Sequence, residues 1–167
     1  MSVSGGQKDL VVLVADGTMK NALMGILNRP ESIAIRNITF QIYPHHRHDP
    51  GCLLESHDFL RRFAGQFYHA LVVFDKEGCG REHCSKDELE AEVKSRLSAS
   101  GWGERASVKP QRPKEAMKEV LRLVKKPFSS AIHQELAETV SFERCQDLAF
   151  LRLKSILRQW FPPLPSD

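Results

Sequence analysis

The run Asp9-Leu-Val-Val-Leu-Val-Ala15 constrains the fold more than any other stretch. It is continuously apolar and rich in valine, the pattern of a strand covered on both faces of a parallel sheet. The run stops at Asp16-Gly17, and Met19, Ala22, Leu23, Ile26 and Leu27 then recur at helical spacing. Thr18 is the expected N-cap of that helix and Asn28-Arg29-Pro30 its stop.

The same alternation continues along the chain. Ile35 to Tyr43 reads as a second strand, residues 44–51 as a polar loop and Leu53 to Phe63 as a second helix. Tyr68 to Phe74 is a third strand of the buried type, ending at Asp75-Lys76-Glu77-Gly78. Ser85-Lys-Asp-Glu88 is a capping box that opens a third helix with Leu89, Val93 and Leu97 on its inner face. Arg105 to Val108 is expected as a short fourth strand. Strand–helix units in series predict an α/β core over residues 8–108, a mostly parallel Rossmann-like sheet flanked by helices.

Residues 109–161 read as a basic helical C-terminal extension packed on that core, with helical patterns at 114–124, 130–140 and 145–161. The last pattern carries Leu148, Phe150, Leu151, Leu153, Ile156, Leu157, Trp160 and Phe161, more apolar surface than one stripe needs. It therefore packs centrally or docks a partner, a second copy of the chain being the simplest.

Composition narrows the class further. The chain has 167 residues, 41% hydrophobic and 27% charged, which suits one soluble domain. Its apolar runs are strand-sized, whereas a membrane helix needs about 20 apolar residues, so no membrane span is expected. The first residues lack the basic-then-apolar order of a secretory signal, which predicts a cytoplasmic protein. In that compartment Cys52, Cys79, Cys84 and Cys145 are expected as free thiols. Charge is unevenly placed: Arg105 to Lys126 holds eight Lys and Arg against two Glu. Lys109, Arg112, Lys114, Lys118 and Arg122 form a basic stripe that would hold a nucleic-acid backbone or simply face solvent.

Ligands of open α/β sheets bind at the carboxyl ends of the strands, where strand order reverses. Two of the strands end in acids there. If the first and third strands are neighbours, Asp16 lies beside Asp75 and Glu77, and the last two share the strand period of two. Carboxylates crowded at one edge repel one another unless a cation neutralises them, a task that suits Mg²⁺ or Mn²⁺. Acids also end strands because they cap helices and occupy turns.

The loop His45-His46-Arg47-His48-Asp49 would sit at the same edge. His46, Arg47 and His48 are placed for phosphate contact or proton transfer beside the acids. A zinc site built from Cys79, His83 or Cys84 with a histidine of that loop is conceivable, yet neither segment has CxxC or HxxxH spacing. No Gly-x-Ser-x-Gly turn, Walker-type loop or Gly-x-Gly-x-x-Gly is present.

A strand, an acid-Gly turn and a helix, followed by a later strand ending in acid-x-acid, resembles the Toprim fold of topoisomerases, primases and overcoming-lysogenization-defect nucleases. The resemblance covers about residues 8–108. The family's first acid, usually a glutamate proposed as general acid or base, falls on Asp16; its acid-x-acid pair, usually Asp-x-Asp, falls on Asp75 and Glu77. Asp49-Pro-Gly51, Asp75-Lys-Glu-Gly-Cys-Gly80 and Arg112-Pro-Lys-Glu-Ala116 bring the layout nearest to small bacterial Toprim-like proteins found near defence genes. The resemblance implies a Mg²⁺-dependent nuclease or nuclease subunit, a hydrolase acting on DNA or RNA in antiviral defence, with Asp16, Asp75 and Glu77 on the metal and Arg112 and Lys114 on the backbone. Asp16 in place of glutamate, and no acid between Arg105 and Lys114, imply a second reading: a non-catalytic Toprim-like binding or assembly module of a larger complex.

Overall fold

The computed structural model describes residues 6–75, 79–110 and 148–164. The chain is α/β, built on a four-stranded, all-parallel sheet of order β2-β1-β3-β4, an arrangement consistent with a Rossmann-like or Toprim-like fold. The strands are β1 (Lys8–Val14), β2 (Phe40–Pro44), β3 (Phe67–Phe74) and β4 (Ala106–Pro110). The helices are α1 (Gly17–Leu27), α2 (His48–Arg61), α3 (Lys86–Leu97) and α4 (Leu148–Trp160). Among the described residues no helix is long and apolar enough to cross a membrane.

The chain forms two compact units. Among the described residues, the first takes those up to Ala15 and Ile38–Pro110, and the second takes Asp16–Asn37 and the C-terminal helix. The first unit contains the whole sheet. Leu10 to Ala15 and Ala70 to Phe74 are buried throughout, as their unbroken apolar character requires of central parallel strands. Helix α2 packs against β1 and β3, and α3 against β4 and α2. Ser85 and Glu88 close the expected capping box at the start of α3. Trp102 is buried beyond α3, and its Nε1 donates to Leu60 O at 3.3 Å, so its one polar atom is satisfied.

In the second unit, Asp16 takes the extended conformation and its carboxylate accepts the Met19 N–H at 2.9 Å. The N-cap of α1 is thus Asp16, not Thr18, because only a side chain three positions ahead of Met19 reaches that orphan donor. Leu153 and Leu157 of α4, with Phe161 just after it, form a buried stripe, while Leu151 is exposed. Phe161 O accepts the Arg36 N–H at 3.2 Å, and the Arg36 guanidinium stacks on the Phe161 ring.

Two element starts lie five residues from where the sequence reading puts them. The second strand spans Phe40–Pro44 and not residues 35–43, because Pro30–Ile33 form a 3₁₀ turn closed by Ala34 in the left-handed region. Ile35 N donates to Pro30 O at 3.1 Å, which takes its donor away from a sheet ladder. The second helix begins at His48 and not Leu53, so half of the expected loop is its first turn. Pro50 is tolerated there because first-turn N–H groups have no helical partner.

Candidate site at the carboxyl edge of the sheet

The order β2-β1-β3 means that the chain passes to one side of β1 and then to the other. Strand order therefore reverses between β1 and β3, whose registers pair Val14 with Val73. Open α/β sheets bind their ligands at the carboxyl ends of the strands that flank such a reversal. Asp75 follows β3 at that edge and is half-buried.

The first turn of α2 ties the two strand ends together. His48 places Nδ1 3.0 Å from Ala15 O, at the end of β1. A carbonyl oxygen only accepts, so Nδ1 carries a proton, and in the neutral ring Nε2 is the acceptor. The next residue, Asp49, accepts the Asp75 N–H through Oδ1 at 2.6 Å, at the end of β3. His48 holds φ at +56°, a left-handed conformation uncommon for a residue with a Cβ, and α2 starts from it. Strained backbone at a strand edge is a recurring mark of functional segments.

A second cluster lies at the end of β2. His45 N donates to Val14 O at 2.8 Å, which extends the β1–β2 ladder by one bond and buries the imidazole. His45 Nδ1 accepts the Arg47 N–H at 3.0 Å, so this histidine carries its proton on Nε2, the opposite tautomer to His48. Nε2 lies 3.5 Å from Glu55 Oε2, and the Arg47 guanidinium donates to Glu55 Oε1 at 2.6 Å. The His46 ring stacks on that of His45 at 4.7 Å between centroids. Burial, and next the neighbouring His46, hold the His45 pKa below the ordinary value, against an opposing pull from Glu55. This close approach of loop and helix needs Gly51, since a Cβ there would overlap the His45 ring and lie 2.9 Å from Arg47 Cβ.

Among the described residues, the group of three or more metal-ligating side chains is His45, His46 and Glu55, with ligand atoms within 4.8 Å of one another. Asp75 does not belong to it, and no thiol does. Cys79 is buried, accepts the Arg81 N–H through Sγ at 3.4 Å and has its pKa raised, first of all by burial. Cys84 is buried as well, with Arg81 Nη2 3.5 Å from its sulfur. Cys52, Cys79 and Cys84 are free thiols, as expected. Gly80, between these cysteines, holds φ at +93°, where a side chain would be strained.

His46 and Arg47 are exposed in the turn after β2. Asp16 caps α1 in the second unit. The Lys109 backbone lies in β4 opposite Val73. Glu77, Arg112, Lys114, Lys118 and Arg122 lie outside the described residues, as do the expected helices at 114–124 and 130–140. Asp49 and Glu55 were not among the candidate residues of the sequence. Asp-Pro at positions 49 and 50 is a signal for the first, being common chemistry for a helix start; a contact ten residues apart, as between His45 and Glu55, leaves no local signal.

No protein-family model, no curated protein and no solved structure matches the chain.

Proposed function

We propose that the chain is a Toprim-like, divalent-metal-dependent phosphoryl-transfer protein: a nuclease or nuclease subunit that acts on DNA or RNA in the cytoplasm, in bacterial antiviral defence. The observation that carries the reading is the pair of ties at the switch point, His48 on Ala15 O and Asp49 on Asp75 N. They hold an acid and a histidine at the two strand ends where an open α/β sheet takes its ligand. The defence setting rests on the resemblance alone.

Asp16, Asp75 and Glu77 are the donors that would hold the Mg²⁺ or Mn²⁺ ion, and their carboxylate oxygens are the hard ligands such ions prefer. Bound there, the ion supplies charge neutralisation at a phosphodiester. His48 Nε2, left as an acceptor by the Nδ1 bond, is suited to take a proton from attacking water. Lys109, Arg112, Lys114, Lys118 and Arg122 would hold the backbone, and Arg47 would add a contact at the strand edge.

A second reading, a nucleic-acid-binding or assembly module without catalysis, is favoured by the use of Asp16 as a helix cap. Incubation of the full chain with single- and double-stranded DNA and RNA in Mg²⁺ or Mn²⁺ separates the two. Cleavage by the native chain that Asp75→Ala abolishes is the expected result. Cleavage equal in both, or absent from both, overturns the enzyme reading.

A further inference from the structure

We propose that His45, His46 and Glu55 form a binding site for a borderline divalent ion of the Zn²⁺ class, in which the ion takes the place of the Arg47 guanidinium on Glu55. This site lies at the end of β2 and does not rest on the phosphoryl-transfer reading.

Two imidazoles and a carboxylate are the donor set of three-ligand zinc sites that keep a position open to solvent. Imidazole donors favour Zn²⁺ and its neighbours over Mg²⁺. Ligand atoms bonded at about 2.0 Å in a tetrahedral site stand about 3.3 Å apart. The three side chains present theirs within 4.8 Å, so closure asks for a shift of about 1.5 Å at most. His46 is exposed and Glu55 partly so, which leaves both free to make that shift by side-chain rotation. His45, the buried member, is the fixed point. The cluster opens on a shallow cleft of about 390 Å³ lined also by Asp58, Phe59 and Arg62, with room for a completing water or ligand.

Arg47 holds the place on Glu55 that the ion would take. Its guanidinium neutralises Glu55, and its backbone N–H fixes His45 with the proton on Nε2. An ion on His45 Nε2 requires the proton to move to Nδ1, which already faces the Arg47 N–H; that hydrogen bond must break. No proton is lost or gained by a neutral His45 in this exchange. What is given up is one hydrogen bond and an ion pair whose arginine side chain is 53% exposed, set against three metal–ligand bonds.

The exchange gives the site a signature. Titration of the full chain with ZnCl₂, followed by calorimetry and by amide and imidazole NMR, should show one Zn²⁺ bound. The Arg47 amide should move as its bond to Nδ1 is lost, and the His45 ring should pass to the Nδ1–H tautomer. His46→Ala and Glu55→Gln, both at accessible positions, should weaken binding at least about tenfold, and Arg47→Ala should tighten it several-fold. MgCl₂ in excess should not compete. Failure of Zn²⁺ to bind, binding unchanged in His46→Ala and Glu55→Gln, or an unmoved Arg47 amide would overturn the proposal. So would a Co²⁺ complex with thiolate charge-transfer bands that vanish in a Cys79→Ser, Cys84→Ser variant, since the ion would then sit on sulfur.

Discussion

Asp49 Oδ1 accepts the backbone N–H of Asp75 at 2.6 Å, which joins the first turn of α2 to the end of β3. The bond is charge-assisted and crosses 26 positions of sequence. With His48 on Ala15 O, it makes the β2–α2 segment a brace across the reversal of strand order. The acid at the crevice is thus held through its backbone.

Removal of that brace should loosen the strand end locally. Asp49→Ala is expected to cost about 1–3 kcal/mol, the range for stranding a partly buried donor, while Asp49→Asn, which keeps an acceptor oxygen, should cost less. Urea unfolding gives the stability, and hydrogen exchange at the Asp75 amide locates the effect. Equal protection of that amide in Asp49→Ala and the native chain would show that the brace contributes nothing.

Gly51 carries a different constraint. A Cβ at this position would overlap the His45 imidazole, which is buried and cannot rotate away. Gly51→Ala gains helix propensity inside α2, worth about 1 kcal/mol, yet overpacking costs about 1–3 kcal/mol, so a net loss of stability is expected. A rise in the urea midpoint of Gly51→Ala would contradict the packing.

His45 makes stability depend on pH. Its folded pKa lies below the ordinary value of 6.5 because burial, then His46, disfavour the charged ring. Above that value both folded and unfolded chains hold it neutral. As pH falls below about 6.5, the unfolded chain takes up a proton that the folded chain refuses, and stability declines until the lowered folded pKa is passed. Urea midpoints measured from about pH 7.5 down to about pH 5 should therefore fall more steeply for the native chain than for His45→Gln. Parallel slopes would remove His45 as the source.

The strands that sequence reading located best are the ones with both faces buried. Leu10–Val14 and Ala70–Phe74 have no solvent side, so no polar residue interrupts them and the parallel sheet follows. The edge strand β2 was harder to bound, since the left-handed Ala34 and the Ile35–Pro30 bond keep Ile35 out of the ladder although it is as apolar as the residues of the strand. The start of α2 was hidden for the opposite reason. His48-Asp-Pro-Gly51 has the composition of a turn, but Pro50 suits a first helical turn and Gly51 is there to clear a ring. Asp75 stands at the expected edge because the neighbours of β1 follow from chain order. The ties on either side of it, Asp49 and the opposed tautomers of His45 and His48, are tertiary hydrogen bonds, which residue types alone do not specify.

Arg105 closes the opposite end of the sheet. Its Nη1 donates to Phe67 O at 3.0 Å and Tyr68 O at 3.2 Å, and its Nη2 to Ala64 O at 3.0 Å and Gly101 O at 3.1 Å. The guanidinium also lies over the Trp102 ring, 5.0 Å from its centroid. One planar fork thus gathers the carbonyls of the turn before β3, the start of β3 and the turn after α3, while Trp102 below it is fixed to Leu60 O. Lysine cannot reproduce this, because an ammonium has no second nitrogen to span two carbonyl pairs and stacks less well on a ring. Arg105→Lys is therefore expected to lose about 1.5–3 kcal/mol, nearly as much as Arg105→Met, with Trp102 fluorescence shifting to the red as water reaches its edge. If Arg105→Lys unfolds at the native urea concentration, the charge alone and not the fork holds this end together.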